Sequence, residues 1–393
     1  MKAYLKKIRW WQWLLIGLAA VILALGIWIA VRWIIILRAR TPEVEYDPGV
    51  WFELAPEGVM TAEGEPYTTR MRVGEENKVI VFFYGGGISI NEYTAARPYL
   101  GMWIDREPGF YSNSTEGQIP DYCELGIGST RRDNPFRDWT VIVIPYTTGD
   151  FHIGRGEYEY TSLEGEPEIL YHHGYDNYRA IMDAAMEYTG SEPEELLVAG
   201  WSAGGYGAAI LTEDLLENYF PGAGHVTVCV DSSLLILDNW TEVFRDVWNV
   251  PEKFVSKIHS NNLIVDFLTD LYSTYGDDMT ILYVGSVRDG ALAKYQTYFD
   301  TGVYASGNRT AWVYTGYLRA MIRQLQQNIP TIGIYLFDQL PYSWNPFMNR
   351  LTQHTILETS TAYWRLTAGR SAIQWLNAAV NGDVYTVGLE KLR

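Results

Sequence analysis

The sequence predicts an α/β fold, an open sandwich with a mostly parallel central sheet and cap insertions, preceded by one transmembrane helix. Three observations carry that expectation. An uncharged stretch of 22 residues lies near the N-terminus, short β-branched runs alternate with helical patterns along the rest of the chain, and one strand-to-helix junction sets a serine between glycines. With 393 residues, 48% hydrophobic and 20% charged, the chain holds enough apolar material for a sizeable core and is too hydrophobic to stay disordered.

The uncharged stretch runs from Trp10 to Val31 and resumes after Arg32 as Trp33 to Leu37. At about 1.5 Å per residue it crosses a hydrocarbon layer of roughly 30 Å, and Arg32 can snorkel to the headgroups. Trp10, Trp11, Trp13, Trp28 and Trp33 gather at its two ends, as interfacial side chains do. A cleaved signal peptide has a shorter apolar region, about 7 to 15 residues, and a small-residue cleavage site; here the stretch runs into Arg38-Ala39-Arg40. A retained single-pass anchor is expected. Lys2, Lys6, Lys7 and Arg9 precede it and Arg32, Arg38 and Arg40 follow it, a balance that inclines to an inside N-terminus and an extracytoplasmic main domain.

The expected organisation is an anchor at 1–40 with its helix at about 10–37, a Pro-, Glu- and Gly-rich linker at 41–77, and a catalytic domain at 78–393. Buried strands are expected at Val79 to Tyr84, Thr140 to Ile144, Leu196 to Ala199, Val226 to Val230, Ile281 to Val284 and Thr331 to Phe337. Helices are expected at Asn177 to Tyr188, Ala203 to Tyr219, Trp312 to Asn328 and Ala372 to Ala379. That alternation marks a parallel sheet covered on both faces. Tyr93 to Arg132 and Leu234 to Met279 break it, and are expected to form insertions over the carboxyl edge of the sheet.

Seven of the 30 basic residues and none of the 47 acidic ones fall in the first 40 positions, so residues 41–393 carry 23 basic against 47 acidic side chains. Nucleic acid is an unsuitable partner for such a surface, and a neutral substrate is easier to accommodate than a polyanion. Cys123 and Cys229 are the two cysteines, enough for one bridge and too few for a disulfide framework or a four-thiolate zinc site.

Gly200-Trp201-Ser202-Ala203-Gly204 follows the apolar run Leu196 to Ala199 and opens a helical pattern. A sharp strand–turn–helix elbow needs glycines because its two backbones approach closely, and it pushes the serine outward as a nucleophile. Gly85-Gly86-Gly87 follows the first strand, where this architecture places amide donors for an oxyanion; the Ala203 amide would be a further donor. The general base comes from six histidines: His152, His172, His173, His225, His259 and His354. The α/β-hydrolase order is Ser, then acid, then His; His354, after the last strand, fits it. Asp289, Asp231 and Asp338 all follow strand-like runs, and Asp289 holds the usual position of the acid. His152, His172 and His173 precede the elbow, and structural or pocket-lining roles are expected of them. No His and carboxylate cluster has metal spacing, and the glycine triplet lacks the lysine and hydroxyl of a phosphate loop; neither cofactor nor metal is implied.

Further segments carry a resemblance. Phe82-Phe83-Tyr84-Gly85-Gly86-Gly87, Asn134-Pro135-Phe136-Arg137-Asp138-Trp139 leading into Ile144-Pro145-Tyr146-Thr147-Thr148-Gly149-Asp150-Phe151-His152-Ile153-Gly154, Gly174-Tyr175-Asp176-Asn177-Tyr178-Arg179-Ala180, the serine elbow, and His354-Thr355-Ile356-Leu357 resemble the pectin acetylesterase family in order and spacing. The resemblance spans roughly Val79 to Leu357. It implies an α/β-hydrolase-like fold and a serine carboxylic ester hydrolase that removes an O-acyl group, acetyl foremost, from a polysaccharide or another acylated substrate. By the same resemblance the serine and histidine are Ser202 and His354, the oxyanion loop is Gly85, Gly86 and Gly87, and the acid is Asp289 with Asp231 as the alternative. Ile88 and Thr147 stand where the family usually has cysteines, so its disulfides are not implied. An acyltransferase using the same serine, and a non-catalytic glycan-binding surface module, are the other functions this sequence admits.

Overall fold

The computed structural model describes residues 9–40, 45–99, 109–115, 118, 123–340 and 350–393. Lys2, Lys6 and Lys7, which entered the orientation argument, lie outside them, as do 100–108, 116–117 and 119–122 of the Tyr93 to Arg132 segment. The chain divides into two units, Met1–Pro42 and Glu43–Arg393.

The first unit is built on one helix, α1 (Trp10–Arg40). Its stretch Trp10–Ile34 is long and apolar enough to cross a membrane. Large apolar side chains from Trp10 to Ile34 are exposed all round the helix, so no single stripe is reserved for a protein core, unlike the surface helix of a soluble domain.

In the second unit the strands, in chain order, are β1 (Phe52–Leu54), β2 (Thr69–Arg72), β3 (Lys78–Phe83), β4 (Thr140–Ile144), β5 (Gly156–Thr161), β6 (Pro167–His172), β7 (Glu195–Trp201), β8 (His225–Asp231), β9 (Met279–Ser286) and β10 (Gly333–Phe337). Eight of them form a sheet in the order β1-β2-β4-β3-β7-β8-β9-β10. From β4 to β10 every pairing is parallel; β1 with β2 and β2 with β4 are antiparallel. Ile80 to Phe83, Val141 to Ile144 and Leu197 to Ala199 are fully buried, which is why these strands read as continuous apolar runs. The six expected strands are these parallel ones.

Helices α2 (Gly174–Ala185), α3 (Ala203–Asn218), α4 (Leu263–Tyr275), α5 (Leu292–Thr301), α6 (Asn308–Asn328) and α7 (Ala372–Val380) cover the sheet. The α3 helix packs on β3, β7 and β8, α2 on β1 and β4, and α7 on β10. Thus the carboxyl ends of β3, β7, β8, β9 and β10 all open on one edge, from which the loops carrying Gly85, Ser202, Asp231, Asp289 and His354 depart.

Two expectations differ from what is found, and one element was not foreseen. The 41–77 segment is not a linker throughout, since it contributes β1 and β2 to the sheet. Its strands are short and β2 carries Arg70 and Arg72, both buried; the Arg72 guanidinium donates to the Gly128 carbonyl at 2.6 Å and lies over the Trp51 ring. Leu234 to Met279 is not wholly an insertion, because α4 packs on α3, α6 and β9 as the crossover from β8 to β9. The hairpin of β5 and β6 was not anticipated; in β5 the acidic and aromatic side chains alternate as Glu157-Tyr158-Glu159-Tyr160, none of them buried.

Two histidines anchor the loop after β4. The His152 Nε2–H donates to the Tyr84 carbonyl and the His172 Nδ1–H to the Thr148 carbonyl, each at 2.8 Å. Burial lowers their pKa values to about 4 and about 3, so both are neutral inside the fold. Below about 6.5 the unfolded chain binds protons that these buried rings refuse, so their contribution to stability is present above that pH and is lost progressively as pH falls toward those values. The thermal midpoint of the wild type should therefore drop relative to that of His172→Asn, which keeps a donor for Thr148 but cannot protonate, as pH is lowered from 6.5 toward 4. Parallel midpoint curves for the two proteins would contradict this.

Candidate active site

The strand β7 ends at Trp201 and α3 begins at Ala203, leaving Ser202 at φ 53° and ψ −123°. That conformation is costly for a side chain bearing a Cβ, and close packing holds it. A Cβ on Gly204 would lie 2.1 Å from the Phe83 carbonyl oxygen, and one on Gly200 would lie 2.1 Å from the Gly204 oxygen. The Ser202 amide donates to the Asp231 carbonyl at 2.8 Å, and the Ser233 hydroxyl donates to the Ser202 carbonyl at 2.6 Å. Both contacts fasten the elbow to the neighbouring strand end.

The glycine loop follows β3 directly. Gly85 lies against the elbow, since a Cβ there would come within 2.7 Å of the Ser202 Cβ. Gly87 has φ 82°, and a side chain there would strike the Phe110 carbonyl. Its own carbonyl accepts from the Tyr146 hydroxyl at 2.9 Å, which turns the peptide. Among the described residues the amides of Gly86 and Gly87 have no backbone acceptor, and the Ala203 amide, at the first turn of α3, has no carbonyl four residues back within the helix.

Asp289 follows β9 and is fully buried. One carboxylate oxygen accepts the amides of Ala291 and Leu292 at 2.9 Å, and the other meets His354 Nδ1 at 2.6 Å. Thr352 pins the histidine loop to the end of β9: its amide donates to the Arg288 carbonyl at 2.9 Å and its hydroxyl accepts the Arg288 amide at 3.0 Å. The structure thus brings Asp289 and His354 together, and ties Ser202 to Asp231.

Asp231 contacts the histidine loop differently. Its carboxylate accepts the amides of Ile356 and Leu357 at 2.7 and 2.8 Å and the Ser232 hydroxyl at 2.8 Å. Asp338 pairs instead with Lys391 at the surface, and His225 pairs with Glu195 at the amino end of β8. His259 is exposed. Cys123 and Cys229 are both free and buried. Among the described residues no group of three or more His, Cys, Asp or Glu side chains is placed to hold a metal ion.

Beside Ser202 lies a small apolar pocket walled by Ile88, Phe151, Tyr206, Leu235, Leu292 and Tyr295. Phe151 and Tyr206 stack with ring centres 4.0 Å apart, giving the pocket a rigid floor. None of the six was expected to line a pocket; Ile88 and Phe151 stood out in the sequence only through the family resemblance. The available signal was indirect: Leu292 and Tyr295 closely follow Asp289, and Tyr206 is one helical turn beyond Ser202.

No curated protein sequence matches the chain. Among solved structures, that of the Wnt deacylase Notum from Drosophila aligns with a TM-score of 0.55 at 16% identity, covering 84% of this chain and 91% of that one. At such identity the likeness is one of fold, and it agrees with the mostly parallel sheet and its helical layers. The pectinacetylesterase family model matches residues 67–261, a segment that holds β3, the glycine loop, the Pro145 to Gly154 stretch and the serine elbow. Over residues 67–261 the chain is therefore similar to the pectinacetylesterase family.

Proposed function

We propose that the protein is a membrane-anchored serine esterase that removes short O-acyl groups, acetyl above all, from an extracytoplasmic acylated carbohydrate. Ser202 is the nucleophile, His354 the general base and Asp289 the acid that orients it. The observation that carries this reading is the 2.6 Å contact between His354 Nδ1 and the buried Asp289 carboxylate, set on the same sheet edge as the Ser202 elbow.

In this mechanism Asp289 accepts the Nδ1–H, so Nε2 is left with its lone pair for the Ser202 hydroxyl proton. The Ser202 oxygen bonds to the ester carbonyl carbon while the proton passes to His354. Amides of Gly86 and Gly87, from the loop that Gly85 begins, and of Ala203, at the first turn of α3, face the developing oxyanion. As the tetrahedral species collapses, the bond to the alkoxy oxygen breaks and His354 returns the proton to the leaving alcohol. Water then gives a proton to His354 and attacks the acyl carbon, releasing the carboxylic acid and restoring the Ser202 hydroxyl.

Pocket size argues for a short acyl group. The free volume beside Ser202 is about 10 Å³, and a single water needs roughly 10–15 Å³; a methyl group is of similar size, and a fatty chain is not. The acidic surface of residues 41–393 favours a neutral glycan over a polyuronate. The α1 helix, with Trp at both ends of its apolar stretch, supports retention at a membrane.

Ser202→Ala should abolish turnover of a 4-nitrophenyl acetate ester while leaving the circular dichroism spectrum unchanged; full activity in that variant would end the proposal. Asp289→Asn should lower kcat by roughly 10²- to 10⁴-fold with little change in KM, because the imidazole loses its preferred tautomer. Across a panel of aryl esters, kcat/KM should fall steeply from acetate to octanoate, and Leu292→Ala should flatten that fall. A wild-type preference for octanoate would refute the short-acyl assignment.

A further inference from the structure

Asp231 touches both Ser202 and the loop that carries His354. It ends β8 opposite Trp201 in register with β7, so its carbonyl receives the Ser202 amide at 2.8 Å. Its side chain turns the other way, toward the loop that follows β10, and one carboxylate oxygen takes the two successive amides of Ile356 and Leu357 at 2.7 and 2.8 Å. The other oxygen takes the Ser232 hydroxyl. Two N–H groups aimed at one anionic oxygen form charge-assisted bonds, roughly twice as strong as neutral ones.

The loop it holds is under tension. Thr355, between His354 and Ile356, has φ 56°, an unfavourable conformation for a β-branched residue that persists only when its surroundings impose it. On the far side the Leu357 carbonyl accepts the Ile127 amide at 2.9 Å, and Gly126 sits so close that a Cβ on it would lie 2.0 Å from that carbonyl oxygen. The segment Thr355–Leu357 is therefore clamped between Asp231 and the turn at Gly126. Burial raises the Asp231 pKa to about 6, opposed by the two amides, Ser232 and the nearby imidazole. A carboxylate in so dry a place persists because donors surround it.

We propose that Asp231 is a positioning residue that sets the distance between nucleophile and base, its carbonyl fixing the Ser202 elbow and its carboxylate fixing the loop that carries His354. This rests on the reading of Ser202 and His354 given above. Asp289 orients the ring and Asp231 places the backbone from which the ring projects. An asparagine at 231 offers one neutral acceptor for two amides, or turns an NH₂ against them, and the loop relaxes. Misplacement of a catalytic group by about 1 Å is enough to cost on the order of 10²-fold in rate.

The test uses the full-length chain in detergent, with 4-nitrophenyl acetate as substrate. Asp231→Asn should lower kcat by about 10²-fold with KM changed less than about threefold, and should add no further loss when introduced into His354→Ala, because residues that act as a unit are not additive. Wild-type kcat in a folded Asp231→Asn protein, or a full additional loss in the His354→Ala background, would overturn the proposal. Should Asp231→Asn fail to fold, Gly126→Ala presses on the same loop from the opposite side; it should reproduce the kcat loss and the non-additivity, and unchanged kcat would overturn the proposal equally. Failure of the esterase reading is separable, since the wild type would then not turn over the ester or Ser202→Ala would retain activity.

Discussion

The contact on which the site depends is the meeting of three backbones where β3, β7 and α3 converge. Gly204 lies so near the Phe83 carbonyl that no side chain fits between them, and Ser202 is left in a conformation that an L-residue adopts only under compulsion. The same crowding brings the glycine loop against the serine, because Gly85 follows directly from β3. Ser202 and the glycine loop are thus positioned by one packing event at the centre of a parallel sheet. Asp289 and His354 come from segments that follow strands farther along the same edge.

Three fully buried carboxylates knit that edge together, each by receiving N–H or O–H donors from separate loops. Asp150 takes the Thr148 hydroxyl and the amides of His152 and Gly174; Asp231 joins the end of β8 to the loop after β10; Asp289 joins the start of α5 to His354. Burial alone opposes ionisation, and burial raises the pKa of Asp150 as it does that of Asp231. Their donors offset that cost. Repeated use of an acid as a tie point explains how a strongly acidic chain spends part of its charge inside the fold.

Much of this was legible in the residues. Six parallel strands stood out because both of their faces are covered, which leaves uninterrupted apolar runs such as Thr140 to Ile144, and the elbow stood out because its glycines are sterically required. Chain order pointed to Asp289 and His354, which the fold brings into contact. What escaped detection lacked such a signature. β2 places Arg70 and Arg72 in the interior, where Arg70 meets the Thr69 carbonyl beside it and Glu53 of β1, and Arg72 meets the Gly128 carbonyl of a later turn. The distinction between Asp289 and Asp231 was equally hidden, since both follow strands, and only the fold shows that one meets an imidazole and the other a pair of amides.

The antiparallel end of the sheet has a consequence for the order of assembly. β2 is synthesised early, yet its partner on the inner side is β4, with Met71 opposite Ile142. While the intervening seventy or so residues leave the ribosome, the first strands have no scaffold to join, and an unpaired strand edge is a template for association with other chains. Nascent molecules of this protein are consequently most exposed to aggregation before the Thr140–Ile144 segment emerges, and that interval is when a chaperone would have most to protect.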